Sequence, residues 1–245
     1  MCIMLGVLGV SANGASFWER LGLTRRTNDA AASGSVLGLG LSEEQVAQGL
    51  KAALDQGVQQ AVGLLGRKDG FLSDTAVRIP MPENLKRVET GLRRLGQDQL
   101  ADEFVTTLNR AAEKAVPEAA QVLGDSVRQM SLADARAILL GTNNAATEYF
   151  RRTSTTNLHQ RFLPIVSKAT EEAGVTAAYK GMVGKAGVLA SFLGADASSL
   201  DDYITRRALD GLFVKIADEE RRIRENPTAR TTELLQQVFG SIKAR

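Results

Sequence analysis

Between Glu148 and His159 the sequence reads EYFRRTSTTNLH, and this is where residue types and spacing come closest to a site. A helical stripe runs from Ala146 and Phe150 to Leu158 and Phe162, and its continuation requires core-facing positions near Thr153, Ser154 and Asn157. Burying such polar groups costs a few kcal/mol unless they are hydrogen-bonded. They must therefore meet protein partners, water or a ligand. The ligand reading is a pocket lined by Tyr149, Thr153 and Asn157 with Arg152 as an anion clamp; the plainer reading is an internal network that fixes helix packing. Arg78, on the proline-stiffened segment Arg78-Ile79-Pro80-Met81-Pro82, is a second candidate. Its guanidinium could grip a phosphate or carboxylate, or pair internally with Asp69 or Asp74.

Other chemistries are poorly served. The chain holds one cysteine, Cys2, and one histidine, His159. An intramolecular disulfide, a thiolate zinc site and an HExxH pair all need more than that. Any Ser-His-Asp or Cys-His mechanism would have to use His159, which has no carboxylate within one helical turn. Glu171-Glu172, Asp201-Asp202 and Glu219-Glu220 are sequence neighbours that splay about 100° apart on a helix and are expected to be solvated. Gly181-Met182-Val183-Gly184-Lys185-Ala186 fails as a phosphate loop, because its first glycine is displaced and Ala186 stands where Ser or Thr must ligate magnesium. No metal and no cofactor is expected. Thirty Lys+Arg against 28 Asp+Glu leave a formal charge of +2, and the arginine doublets lack aromatic platforms, so nucleic acid is not an expected partner. Of the 30 basic residues 21 are arginine, a bias toward two-point ion-pair clamps.

The elements that must position these residues read as helices. Ser42 with Gln45 forms a capping box, and Val46, Leu50, Leu54, Val58, Ala61 and Leu65 recur at helical spacing up to Gly66. Glu83 opens a helix that stops at Gly96. Leu100, Phe104, Leu108, Ala111 and Ala115 share a face up to a break at Pro117, beyond which a helix continues to Met130. Ser131 and Asp134 cap the next, ending at Gly141. A longer helix starts at Asn143 or Asn144, with a kink expected at Pro164. Residues Val175 to Val183 form a short helix, and Gly181, Gly184 and Gly187 loosen the stretch from its end onward. The last long helix begins at Ser199 or Leu200, with Asp218 to Arg224 as an ion-paired outer surface, and Thr228 to Phe239 form a final one. No sustained alternation defines a strand. The fold class is therefore all-α, a single-domain bundle of about seven to nine helices over residues 42–240, several kinked at Pro or Gly, with a short tail at 241–245.

Cys2 to Val10 is an apolar run leading into Ser11-Ala12-Asn13-Gly14-Ala15, so residues 1–16 read as a signal-like N-terminus without its charged start. Residues 17–41, rich in Ala, Ser and Gly, read as a flexible tether. The expected location is the periplasm or cell envelope, with no transmembrane span in the mature chain.

Six segments also carry a resemblance: Gly49-Leu50-Lys51, Asp69-Gly70-Phe71, Arg78-Ile79-Pro80-Met81-Pro82, Asn109-Arg110-Ala111-Ala112-Glu113, Ala146-Thr147-Glu148-Tyr149-Phe150-Arg151-Arg152-Thr153 and Ala208-Leu209-Asp210-Gly211-Leu212-Phe213. In that order, over roughly Leu41 to Gly240, the chain resembles the bacterial domain-of-unknown-function 4197 family. The resemblance implies an exported helical protein, often with a signal peptide, and brings with it no activity, cofactor or catalytic residue.

These features leave two functional readings. The first is a non-enzymatic exported protein that binds a lipid or other amphipathic small molecule, or an envelope protein partner, between helices. The second is a hydrolase or transferase with its site around Tyr149, Arg152, Asn157 and His159.

Overall fold

A computed structural model describes residues 42–172 and 197–225. All of them fall in one compact unit, Ser35–Arg245. The helices are α1 (Glu43–Leu65), α2 (Lys86–Arg94), α3 (Asp98–Ala115), α4 (Ala119–Gln129), α5 (Leu132–Leu140), α6 (Ala145–Glu172) and α7 (Ala197–Glu225). Single 3₁₀ turns at Glu83–Leu85 and Val116–Glu118 lead into α2 and α4. No strand occurs among the described residues, which makes the class all-α. The total of seven to nine helices is a statement about the whole chain that the described residues do not establish. The expected helices at 175–183 and 228–239, and the loosening glycines, lie outside them.

Local chemistry sets the starts of α1 and α5. The Ser42 hydroxyl accepts from the Gln45 N–H while the Gln45 side chain accepts from the Ser42 N–H, so two orphan donors are met reciprocally. Ser131 and Asp134 do the same for α5. Pro117 comes after α3 without the N–H an α-helix needs, and the chain turns there into α4. Pro164 lies inside α6, which continues past it to Glu172.

The long helices α6 and α7 pack together, and α6 also meets α3, α4 and α5, while α1 lies against α4, α5 and α7. Their apolar stripes meet in one core whose bulk comes from Phe71, Phe104, Phe150, Phe162 and Phe213, each at most 1% exposed. On α6 the buried line is the row Ala146, Phe150, Ser154, Leu158, Phe162 and Val166. Such a row precesses about 40° per step, so it winds round a helix that has neighbours on several sides.

The chain from Gly66 to Pro82 is irregular but tightly held. Glu113 of α3 accepts from the N–H groups of Phe71 (3.2 Å) and Leu72 (3.4 Å). Arg110 links Glu113 to Asp69, both at 2.6 Å. Asn109, fully buried, accepts from the Ile79 N–H and donates to the Ile79 carbonyl, both at 2.9 Å. Close backbone approach excludes side chains at two glycines. A Cβ on Gly70 would stand 2.5 Å from the Leu64 and Leu65 carbonyl oxygens, and one on Gly211 of α7 would stand 2.8 Å from Phe71.

Candidate functional site

Tyr149 and Arg152 lie one turn apart on α6 and share a cleft of about 390 Å³ with α5 and the turn between the two helices. Ala137, Ile138 and Ala145 supply apolar wall, while Asp134, Thr142 and Glu148 supply polar rim. Capping fixes the α5 side of this cleft. Asp134 is held well below the usual carboxylate range, first by the Ser131 hydroxyl, then by the Ser131 N–H and the Arg152 guanidinium, against an opposing effect of burial. Its charge is thus committed to the α5 N-terminus, where the helix dipole favours it.

The α6 side is fixed from α7. Glu220 accepts from the N–H groups of Ala146 (3.0 Å) and Thr147 (2.9 Å) and from the Thr147 hydroxyl (2.8 Å), so a buried carboxylate satisfies the orphan donors at the start of α6. Arg224 pairs with Glu220 at 2.9 Å and donates to the Ile138 carbonyl on α5 at 2.8 Å. One ion pair on α7 therefore holds both helices that form the cleft. This corrects the expectation that Glu219 and Glu220 are solvated, since they are 8% and 6% exposed. The reason is their partners, because Glu220 is drawn onto α6 and Glu219 is closed off by Arg222.

Within the cleft, Tyr149 donates its hydroxyl to the Ser126 carbonyl at 2.9 Å, and burial pushes its phenol upward from the ordinary range, with the Asp134 charge adding to the effect. Tyr149 is therefore a neutral wall. The Arg152 guanidinium lies over the Tyr149 ring, 5.5 Å from its centroid, and approaches Asp134 at 3.4 Å. That ion pair is long, and the Arg152 side chain is 68% exposed, which leaves most of its five donors open to the cleft mouth.

The other expected site residues fall elsewhere. Thr153 and Asn157 are exposed rather than core-facing, and only Ser154 of the polar trio is buried. Ser154 belongs to the buried row on α6, whereas Thr153 and Asn157 lie one residue before members of that row and are rotated about 100° outward. The Thr153 hydroxyl is spent on the Tyr149 carbonyl at 2.9 Å, and Ser154 meets Ser126 of α4 at 2.6 Å. The plainer reading of a packing network holds for Ser154. A polar pocket of Tyr149, Thr153 and Asn157 does not form.

His159 lies ten residues beyond Tyr149, roughly 15 Å further along α6. Its Nε2 meets Asp202 of α7 at 2.8 Å, and the second oxygen of Asp202 holds Arg206 at 2.5 Å. The carboxylate that sequence spacing does not supply thus comes from another helix. No hydroxyl joins this pair among the described residues, and Tyr149, Arg152, Asn157 and His159 do not converge on one point along α6. Arg78 does not line the cleft either. It is exposed, and the two carboxylates near it in sequence are taken, Asp69 by Arg110 and Asp74 by Lys215.

Sequence reasoning missed Asp134 and Glu148 as rim residues, since Asp134 reads there only as a cap. It missed Glu220 and Arg224 because nothing local marks their partners. No group of three or more His, Cys, Asp or Glu arranged to hold a metal occurs among the described residues, and no helix there is long and apolar enough to cross a membrane.

No curated protein and no solved structure matches this chain. A family model described as a protein of unknown function (DUF4197) matches residues 40–240, which takes in α1 to α7 and every residue of the cleft. The chain belongs to that family.

Proposed function

We propose that this protein binds an amphipathic anion in the cleft between α5 and α6 and does not transform it. The observation that carries this reading is the exposed Arg152 guanidinium, stacked on Tyr149 at the mouth of a cleft walled by Ala137, Ile138 and Ala145. The volume of about 390 Å³ is within the roughly 300–1,000 Å³ range of small-molecule sites. A carboxylate or phosphate can take the guanidinium fork in two-point fashion while an apolar body lies along the wall. The Asp134 carboxylate is spoken for by the α5 cap, where it accepts from the Ser131 N–H and hydroxyl.

The test is to purify the full chain without detergent, extract it with organic solvent and weigh what comes off by mass spectrometry. A stoichiometric molecule with an acidic head, retained by the parent and lost from Arg152→Ala, supports the reading. A ligand-free parent sends the search to a protein partner at the same cleft. We also propose export to the cell envelope, on the apolar run of residues 2–10 and the small residues after it; fractionation of cells expressing the chain tests this.

A further inference from the structure

We propose a second binding site for a dianionic oxyanion, a phosphate monoester, between Arg78 and Arg207. The segment Val77 to Met81 holds the first of the two cations. Val77, Ile79 and Met81 are buried and Arg78 and Pro80 are exposed, the period-two alternation of extended chain. Asn109 grips Ile79 by both its N–H and its carbonyl, so Arg78 stands on a fixed support between two buried anchors.

This segment runs along one ridge of α7. At one end Val77 abuts Gly211, where a Cβ would stand 3.2 Å from the Val77 Cβ. At the other end the Tyr203 hydroxyl donates to the Pro80 carbonyl at 3.1 Å. Tyr203, Arg207 and Gly211 are spaced four apart and form one row on the helix surface. Eight residues of helix span roughly 12 Å, and three steps of extended chain at most about 10 Å, so the two tracks match in length. Arg78 lies within the loop track and Arg207 at the middle of the helix track, between the two contacts that join the tracks.

Neither cation is neutralised by a carboxylate among the described residues. Arg78 has no ion pair among the described residues, because Asp69 and Asp74 are engaged elsewhere. Arg207 is exposed and leans over the Tyr203 ring, 5.4 Å from its centroid, which orients the fork without neutralising it. The neighbouring charges are Asp210, exposed on α7 and in no ion pair with either arginine, and Lys86, already paired with Glu83 at 2.6 Å. Two unneutralised forks rising from adjoining tracks can close on one anion. Two positive charges match a dianion better than a monocarboxylate, and planar forks suit phosphate oxygens.

The probe is inorganic phosphate, monitored by amide chemical shifts on the full chain, with phosphatidylcholine vesicles with and without phosphatidate as a second arm. The expected result is saturable binding that persists in Arg152→Ala and, in that background, weakens about tenfold or more in Arg78→Ala and in Arg207→Ala and tightens in Asp210→Asn. Arg78→Lys keeps the charge and loses the fork, so it should fall between parent and Arg78→Ala. Vesicle binding that needs phosphatidate and both arginines would assign the phosphate to a lipid head group; absence of vesicle binding, with phosphate binding intact, would assign it to a soluble monoester. A parent that does not bind phosphate, or variants that bind it as the parent does, would overturn the proposal. All these side chains are exposed, and thermal melts of the variants check that the fold is kept. Because Arg152 takes no part, failure here leaves the α5–α6 cleft untouched, and the reverse.

Discussion

The Glu220 carboxylate on α7 receives both the backbone N–H and the hydroxyl of Thr147, at 2.9 and 2.8 Å, across 73 residues of sequence. This contact seats the N-terminus of α6, and the Arg224 partner of Glu220 reaches on to α5. The shape of the cleft therefore depends on two residues that do not line it.

The first prediction concerns that pair. Glu220→Ala should strip three hydrogen bonds from the start of α6 and leave Arg224, whose side chain is 10% exposed, without its carboxylate. Breaking a buried ion pair from one side costs about 3–5 kcal/mol. Urea unfolding of the variant should show a much lower midpoint, whereas Glu148→Ala, at an exposed rim position, should change stability little.

Asn109 gives a second prediction. Asn109→Ala leaves the Ile79 N–H and carbonyl without their side-chain partner, at about 1–3 kcal/mol for each buried group so stranded. Because the lost bonds hold the Gly66 to Pro82 segment, native-state proteolysis there should accelerate in step with the loss of stability. Binding of phosphate at Arg78 should weaken in the same variant.

Two glycines should respond with opposite sign. Gly211→Ala drives a methyl against Phe71 and Val77, and overpacking of this kind costs about 1–3 kcal/mol. Gly91→Ala, inside α2 with nothing within 4 Å of the new Cβ, should stabilise by up to about 1 kcal/mol from helix propensity. Thermal denaturation of the two variants checks the contrast.

Stability should also depend on pH through the Lys215–Asp74 contact of 2.5 Å. Asp74 is lowered chiefly by its hydrogen bond with Lys215, aided by the Ala76 N–H and opposed by burial. Its contribution is therefore present above the unfolded carboxylate value of about 3.9 and is lost as pH falls through the lower folded value. Lys215 is raised, chiefly by the same hydrogen bond, so its contribution is present below about 10.4 and is lost as pH rises through the higher folded value. Asp74→Asn should flatten both flanks of the stability profile measured by urea unfolding between acid and alkaline pH.

The features legible in the sequence are the local ones. Ser42 and Ser131 can be read as caps because cap and partner lie three residues apart, and the apolar rows of α1 and α3 because a stripe repeats every turn. The helix partners of the polar residues are not legible. Asp202 reaches His159 across 43 residues, and Glu220 reaches Thr147 across 73. Arg78 shows the same limit from the other side, since nearness in sequence to Asp69 and Asp74 suggests an internal pair that Arg110 and Lys215 pre-empt. Tyr149 and Arg152 emerge from the sequence as neighbours one turn apart, yet Thr153 and Asn157 are misplaced inward, because a stripe read without its neighbours does not show which way it winds.

The most direct test of the binding reading is titration of the full chain with a fluorescent fatty-acid analogue, comparing the parent with Arg152→Ala and Arg78→Ala. Saturable one-to-one binding by the parent is expected, weakened about tenfold or more by Arg152→Ala and unaffected by Arg78→Ala. Equal binding by the parent and Arg152→Ala, or none by the folded parent, would contradict it.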